Sequence, residues 1–205
     1  MLYDKIIYGL SNYIANELNF SKKKQDRLRF GLEIFISQLM SLVAALLVAL
    51  LLGIFGYVVV ILIVTATIRV SAGGTHAKTP LECALFTTLF ANILGLLANS
   101  LDNYFYQNWL LILLIFAIYI LSSLILWSPA KVRNKPLEDK NKKRRLRLIS
   151  FVTAGFWLLL TGLLFMLYQD SIIVINSGII AGLLFHNFSL NPLGYKFNQW
   201  YYQYK

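Results

Sequence analysis

Hydrophobic residues along the chain follow two kinds of pattern. From Leu2 to Leu18 they recur at helical spacing, at Leu2, Tyr3, Ile6, Ile7, Leu10, Tyr13, Ile14 and Leu18, with Asp4, Lys5, Asn12, Asn16, Glu17 and Asn19 interspersed. A signal peptide would show a continuous apolar run instead. The spacing predicts an amphipathic helix over residues 1–20, lying in the membrane interface or packed on a helical bundle. Six continuous apolar stretches follow: Leu32 to Leu52, Tyr57 to Ile68, Ala84 to Ala98, Trp109 to Trp127, Leu148 to Tyr168 and Ile172 to Leu190. Four are long enough to span a bilayer unaided. The second covers only about 18 Å of a roughly 30 Å hydrocarbon core at 1.5 Å per residue, and the third is also short. These two are either thin, tilted spans or re-entrant segments. Gly53 and Gly56 in Gly-Ile-Phe-Gly predict a tight turn after the first stretch. The expected fold is an all-α polytopic membrane protein with about six hydrophobic segments and an N-terminal interfacial helix.

Composition sharpens this picture. Of 205 residues, 58% are apolar and only 14% charged, enough for at most about six spans of roughly 20 residues and incompatible with a soluble globular domain. The net charge is nevertheless +10, from 19 Lys and Arg against nine Asp and Glu. Those cations must lie mostly outside the hydrocarbon, where they mark the cytoplasmic side. Lys22, Lys23, Lys24, Arg27 and Arg29 precede the first stretch, and nine more, from Lys131 to Arg147, crowd a basic loop over residues 128–147. The connections 99–108 and 169–171 have no Lys or Arg but contain Asp102 and Asp170, and are expected to face outward. With six crossings, both termini and the segment 69–82 fall on the cytoplasmic side of the cell membrane. This charge pattern calls for anionic lipid, with no nucleic-acid partner expected. One cysteine, Cys83, excludes an intrachain disulfide, and with two histidines leaves no metal site or cofactor expected.

Candidate chemistry concentrates in Arg69-Val-Ser-Ala-Gly-Gly-Thr-His-Ala-Lys-Thr-Pro-Leu-Glu-Cys, which joins the second and third stretches. On one helix His76 and Cys83 would stand about 10 Å apart along the axis. Gly73-Gly74 breaks that helix, and Thr79-Pro80-Leu81-Glu82 reads as a capping box with proline at the first helical position. A new helix therefore begins at Thr79, with Cys83 in its first turn, where the positive end of the helix dipole favours an anionic sulfur. His76 then lies within folding distance of Cys83 as a general base. Ordinarily a lone membrane cysteine is a small apolar filler and such a histidine a loop residue. Their shared place in an interrupted, glycine-rich polar segment at the membrane boundary argues for more.

These residues resemble the accessory gene regulator B (AgrB) family of membrane peptidases of Gram-positive quorum-sensing systems. The motif Arg-x-x-x-Gly-Gly-x-His-Ala-Lys, followed by cysteine seven positions after the histidine, stands here as Arg69, Gly73, Gly74, His76, Ala77, Lys78 and Cys83. Further points of likeness are Phe30-Gly31-Leu32-Glu33, Ser128-Pro129-Ala130, Asn134-Lys135-Pro136-Leu137 and Leu190-Asn191-Pro192, so the likeness covers nearly the whole chain, read as a single domain over 1–205. Phe30 replaces a frequent tyrosine, and Lys131-Val132 a frequently acidic stretch.

The resemblance implies a cysteine endopeptidase that removes the acidic C-terminal tail of an AgrD-like propeptide and cyclises the remainder to a thiolactone or lactone. Cys83 would be nucleophile and His76 base and acid, with a thioester acyl-enzyme between. Glu33 is a candidate to orient His76, whereas Glu82 reads as the capping partner. Arg69 is either a snorkelling flank or a group orienting site and substrate. Gly73 and Gly74 offer backbone freedom or N–H donors for an oxyanion. Lys142, Lys143, Arg144 and Arg145 are candidates to hold the acidic tail, against the plainer role of topology and lipid contact. His186 is expected to be a partnered structural histidine. A homodimer is implied, with Gly155 and Gly162 available for close helix packing. The competing class is a non-enzymatic membrane protein, such as a small peptide exporter or scaffold. A transporter would show paired broken helices in matching halves, which the chain lacks. Gly-x-Ser-x-Gly and His-Glu-x-x-His motifs are absent too.

Overall fold

The computed structural model describes residues 2–75, 79–130, 139–168 and 173–203, and among these the chain is helical with no strands. Eight helices follow one another: α1 (Leu2–Glu17), α2 (Lys22–Leu51), α3 (Phe55–Ala72), α4 (Pro80–Gln107), α5 (Trp109–Trp127), α6 (Lys140–Tyr168), α7 (Ile173–Leu190) and α8 (Pro192–Gln203). Six of them, α2 to α7, are long and apolar enough to cross a membrane. The chain is a multi-pass membrane protein.

The two stretches that looked short in the hydropathy pattern are full-length helices. α3 has 18 residues and α4 28, about 27 and 42 Å. Hydropathy ends early on both because polar residues occupy the helical positions beyond: Arg69 and Ser71 after the second stretch, and Asn99, Ser100, Asp102 and Asn103 after the third. Ser71 and Ser100 donate back to the carbonyls of Ile68 and Leu96, and within the stretches Thr67 donates to Val64 O and Asn92 to Thr88 O at 2.8 Å and across to Ala45 O on α2 at 3.2 Å. The structure thus favours spanning over re-entry. The tight turn after α2 is present: Gly53 takes φ +71°, and α3 begins two residues later at Phe55. α5 runs from Trp109 to Trp127, so the two indoles mark its ends as expected.

α7 sits at the centre, with every residue from Asn176 to Leu183 buried. It approaches α3 closely through Gly178 and Gly182, beside Val60 and Val64, and Thr65 donates to Gly182 O at 3.1 Å. α2 packs on α4 along a seam of small residues, Ser37, Ser41, Ala45 and Ala49, four apart on one face. Small residues let backbones approach where lipid supplies little hydrophobic driving force between helices. The outward faces are aliphatic instead: Leu51 and Val70 are each 87% exposed. Gly162 meets Leu113 across the α5–α6 contact, while Gly155 faces open space.

α1 divides its apolar residues between two surroundings. Ile7, Ser11 and Ala15 are buried, in a helix that packs on α2, whereas Ile6, Leu10 and Tyr13 on a neighbouring face are exposed. Part of the predicted basic loop is helical: residues 140–147 form the first two turns of α6, with Asp139 accepting from the backbone N–H groups of Asn141 and Lys142.

Candidate active site

The new helix begins as the capping pattern predicts. Thr79 Oγ1 accepts from Glu82 N at 3.3 Å, and Glu82 Oε2 accepts from Thr79 N at 3.2 Å, with Pro80 at the first helical position. Cys83 N donates to Thr79 O at 3.1 Å, so the cysteine closes the first turn of α4 and is half-buried there. Glu82 is buried as the reciprocal cap. Gln38 on α2 approaches Cys83 Sγ through Nε2 at 3.9 Å.

The end of α3 is built by glycine. Gly73 takes φ +75° and donates its N–H to Arg69 O at 3.0 Å, while Gly74 takes φ +146°. Gly73 N–H is therefore occupied by Arg69 O, and both glycines take backbone angles that side chains rarely adopt. A Cβ on Gly73 would meet Ala130 Cβ at 3.2 Å, and one on Gly74 would lie 2.7 Å from Ser189 Oγ. The glycine turn thus threads between the end of α5 and the end of α7. Ala130 N donates to Ala72 O at 2.8 Å, and Arg147 Nε donates to Ser128 O at 2.8 Å, tying the root of the basic segment to this turn. Thr75 is fastened on both sides, its N–H donating to Ser189 O at 2.9 Å and its carbonyl accepting from Arg69 Nη2 at 2.6 Å. The Arg69 side chain is thus turned inward, toward the segment that follows α3.

Cys83 opens onto a cavity of about 70 Å³ among α3, α4, α7 and α8. Arg69, Thr75 and Ser189 contribute its polar wall, and Phe86, Phe90, Phe185, Phe188 and Phe197 its apolar one. The structure therefore brings Cys83 and Arg69 together beside the glycine turn. His76, with Ala77 and Lys78, lies outside the described residues, though Thr75 immediately before it lines the cavity. Glu33 does not line the cavity; it pairs with Arg29 Nε at 3.1 Å on the exposed side of α2. Lys142, Lys143, Arg144 and Arg145 are exposed on the first turns of α6, away from the cavity lining. His186 is buried at 2% exposure, but neither ring nitrogen has a hydrogen-bond partner among the described residues, contrary to the partnered histidine expected.

Two features escaped the sequence pattern: the phenylalanine wall and α8, which supplies Phe197. The signals were present, since Phe86 and Phe90 follow Cys83 at helical spacing, Phe185 and Phe188 stand three apart, and Asn191-Pro192 starts an aromatic-rich helix.

Fold and site together define a polytopic helical membrane protein with its single cysteine at a capped helix start, facing a phenylalanine-walled cavity. The family model "Accessory gene regulator B" matches residues 7–190, and the chain belongs to that family. AgrB-like protein 2 of Clostridium perfringens strain 13 is 23% identical over 165 residues, 79% of this chain and 77% of its own. An AgrB-like protein of Listeria innocua is 28% identical over 171 residues, 83% and 78% of the two chains. Accessory gene regulator protein B of Staphylococcus aureus strain RF122 is 25% identical over 144 residues, 70% and 74%. No solved structure matches the chain.

Proposed function

We propose that the protein is a membrane-embedded cysteine endopeptidase that cuts the C-terminal tail from an AgrD-like pheromone precursor and cyclises the remainder, in the quorum-sensing role the family name describes. The observation that carries this reading is the placement of Cys83 Sγ on the first turn of a capped helix, at a cavity shared with Arg69 and the clamped Thr75.

Cys83 thiolate attacks the scissile carbonyl, His76 having taken the thiol proton. As the C–N bond breaks, His76 returns that proton to the leaving amine of the tail, and a thioester on Cys83 remains. A thiol or hydroxyl of the bound peptide then attacks the thioester, the Cys83 thiol is restored, and the ring closes. Exchange of one thioester for another conserves the activated carbonyl, so a thiolactone forms without ATP as long as water is excluded. The phenylalanine wall provides that exclusion. Arg69, Gly73 and Gly74 position the segment that carries His76, and Glu33 stands as the candidate to orient it. The enzyme works with its basic segments on the cytoplasmic side among anionic lipids, as a homodimer.

Incubation of purified protein with a precursor peptide is expected to yield, by mass spectrometry, an acyl adduct on Cys83 and a free tail. Cleavage retained in Cys83→Ala overturns the reading in favour of a scaffold or exporter co-purifying with another peptidase.

A further inference from the structure

Attack on a carbonyl puts negative charge on its oxygen, and that oxyanion is stabilised by a hydrogen-bond donor held about 2.7–3.1 Å away before the reaction begins. Backbone donors around Cys83 are already engaged. Gly73 N–H is given to Arg69 O, Thr75 N–H to Ser189 O, Thr79 N–H to Glu82 Oε2, Glu82 N–H to Thr79 Oγ1 and Cys83 N–H to Thr79 O. Arg69 Nη2 is drawn to the Thr75 carbonyl. Among the described residues, the side-chain amide that stands at the sulfur is Gln38, with Nε2 3.9 Å from Cys83 Sγ.

The seam between α2 and α4 sets its position. Ser37, Ser41, Ala45 and Ala49 let the two helices approach, and Asn92 on α4 donates across to Ala45 O on α2 at 3.2 Å. Gln38 lies seven residues before Ala45, and Cys83 nine before Asn92. The two helices run the same way, so the register fixed by Asn92 brings Gln38 beside Cys83 about two turns earlier. Gln38 is the single side-chain amide in the apolar stretch Leu32 to Leu52, at a depth where lipid does not solvate it and a polar group marks function. It is exposed and Cys83 half-buried, so a bound peptide can touch both. An approach of 3.9 Å engages the N–H only weakly, and catalytic hydrogen bonds are often this long until substrate arrives.

We propose that Gln38 is the oxyanion donor of this site, a catalytic residue beyond the nucleophile and its base. The inference rests on Cys83 being the nucleophile. As Sγ bonds to the scissile carbon, the carbonyl π pair moves onto the oxygen, two covalent bonds from Sγ and within reach of the Gln38 amide. Gln38 Nε2–H donates to that oxygen. When the C–N bond breaks, the pair returns to re-form the carbonyl and the leaving amine departs with its proton. The same donor serves again when the thiol or hydroxyl of the peptide attacks the thioester, because that adduct carries its charge on the same oxygen. The bond is stronger to the anion than to the neutral carbonyl, so it lowers the barrier to both steps.

The test compares two reactions of one sulfur. Iodoacetamide alkylates it at a saturated carbon: the thiolate displaces iodide, a thioether forms, the thiol proton passes to buffer, and no oxyanion arises. N-acetylglycine benzyl thioester acylates it through an oxyanion: the Sγ–C bond forms, the bond to the benzyl sulfur breaks, and benzyl thiol departs with the proton. Cys83 is the single cysteine, so intact mass reports both adducts. Gln38→Met, which keeps the chain length without the N–H, is expected to lower the acylation-to-alkylation rate ratio about 100-fold, the low end for loss of one oxyanion donor. Gln38→Glu, of the same shape but with a carboxylate for the amide, is expected to lower it at least as far. Each ratio is taken within one protein and is independent of the fraction folded. A ratio within about threefold of the parent in either variant, including both rates falling together, overturns Gln38 as the donor and leaves the nucleophile standing. A parent chain that the thioester fails to acylate overturns the nucleophile and the donor together.

Discussion

Both backbone polar groups of Thr75 are fixed, the N–H on Ser189 O and the carbonyl on Arg69 Nη2, and two positive-φ glycines deliver the chain to that position. His76 is the next residue. In the proposed reaction His76 is the base and must come within hydrogen-bond distance of Cys83, so on that reading the clamp governs the chemistry. Gly74→Ala puts a Cβ 2.7 Å from Ser189 Oγ at a φ of +146° that a side chain rarely adopts. Ser189 Oγ is itself tied to His186 O at 2.7 Å, so it cannot yield freely. The variant is expected to lose about 100-fold in precursor cleavage, the cost of misplacing reacting groups by about 1 Å, with helical content retained by circular dichroism. Activity within threefold of the parent would remove the clamp from the mechanism. At this scale the capping box was legible beforehand, because Thr79, Pro80 and Glu82 act within four consecutive residues. The Arg69–Thr75 and Thr75–Ser189 bonds were not, because the first depends on how a glycine turn folds back and the second joins residues 114 positions apart.

Helix pairs in this protein are set by how small their contact residues are. Gly182 on α7 has Val64 Cβ at 2.8 Å and Ile61 O at 3.0 Å from where a Cβ would be, so an added methyl must push α3 away from the central helix. Gly155 on α6 has nothing within 4 Å. Gly182→Ala is therefore expected to destabilise by about 1–3 kcal/mol through overpacking. Gly155→Ala is expected to be neutral or to stabilise by about 0.5–1 kcal/mol, the ordinary helical preference for alanine. Unfolding midpoints in a sodium dodecyl sulfate titration check both, and equal shifts would refute the packing account. Number and order of spanning helices could be read from hydropathy, but their lengths could not. Arg69 and Ser71 end the apolar run of α3, and Asn99, Ser100, Asp102 and Asn103 that of α4, while both helices continue, Ser71 and Ser100 bonding back to Ile68 O and Leu96 O. α8 left no hydropathy signal because its twelve residues mix aromatic with polar groups, and its apolar side has meaning only against α4 and α7.

Across the whole molecule the charge is lopsided, and the first turns of α6 concentrate it. Lys142, Lys143, Arg144 and Arg145 are all exposed at the N-terminal end of a helix, where the dipole is already positive and cations are disfavoured. Asp139 offsets part of this by accepting from two backbone N–H groups. A segment charged against its own dipole gains most from an external anion, either lipid headgroups, worth about 1 kcal/mol per cation, or an acidic substrate tail. The two separate in bilayers of zwitterionic lipid, where the headgroup attraction is absent. With all four residues changed to Gln, KM for an acidic-tailed precursor is expected to rise at least about tenfold in such bilayers, with KM for a glutamine-tailed precursor unchanged. Raising salt from about 0.15 M to 1 M should reproduce the effect in the parent, because the screening length falls from about 8 Å to 3 Å. Equal changes for both tails would assign the segment to lipid contact and topology. Labelling of Asn141→Cys from the cytoplasmic face alone, in a Cys83→Ser chain, is the outcome expected if the segment lies on the cytoplasmic side, as the proposed tail-holding role requires.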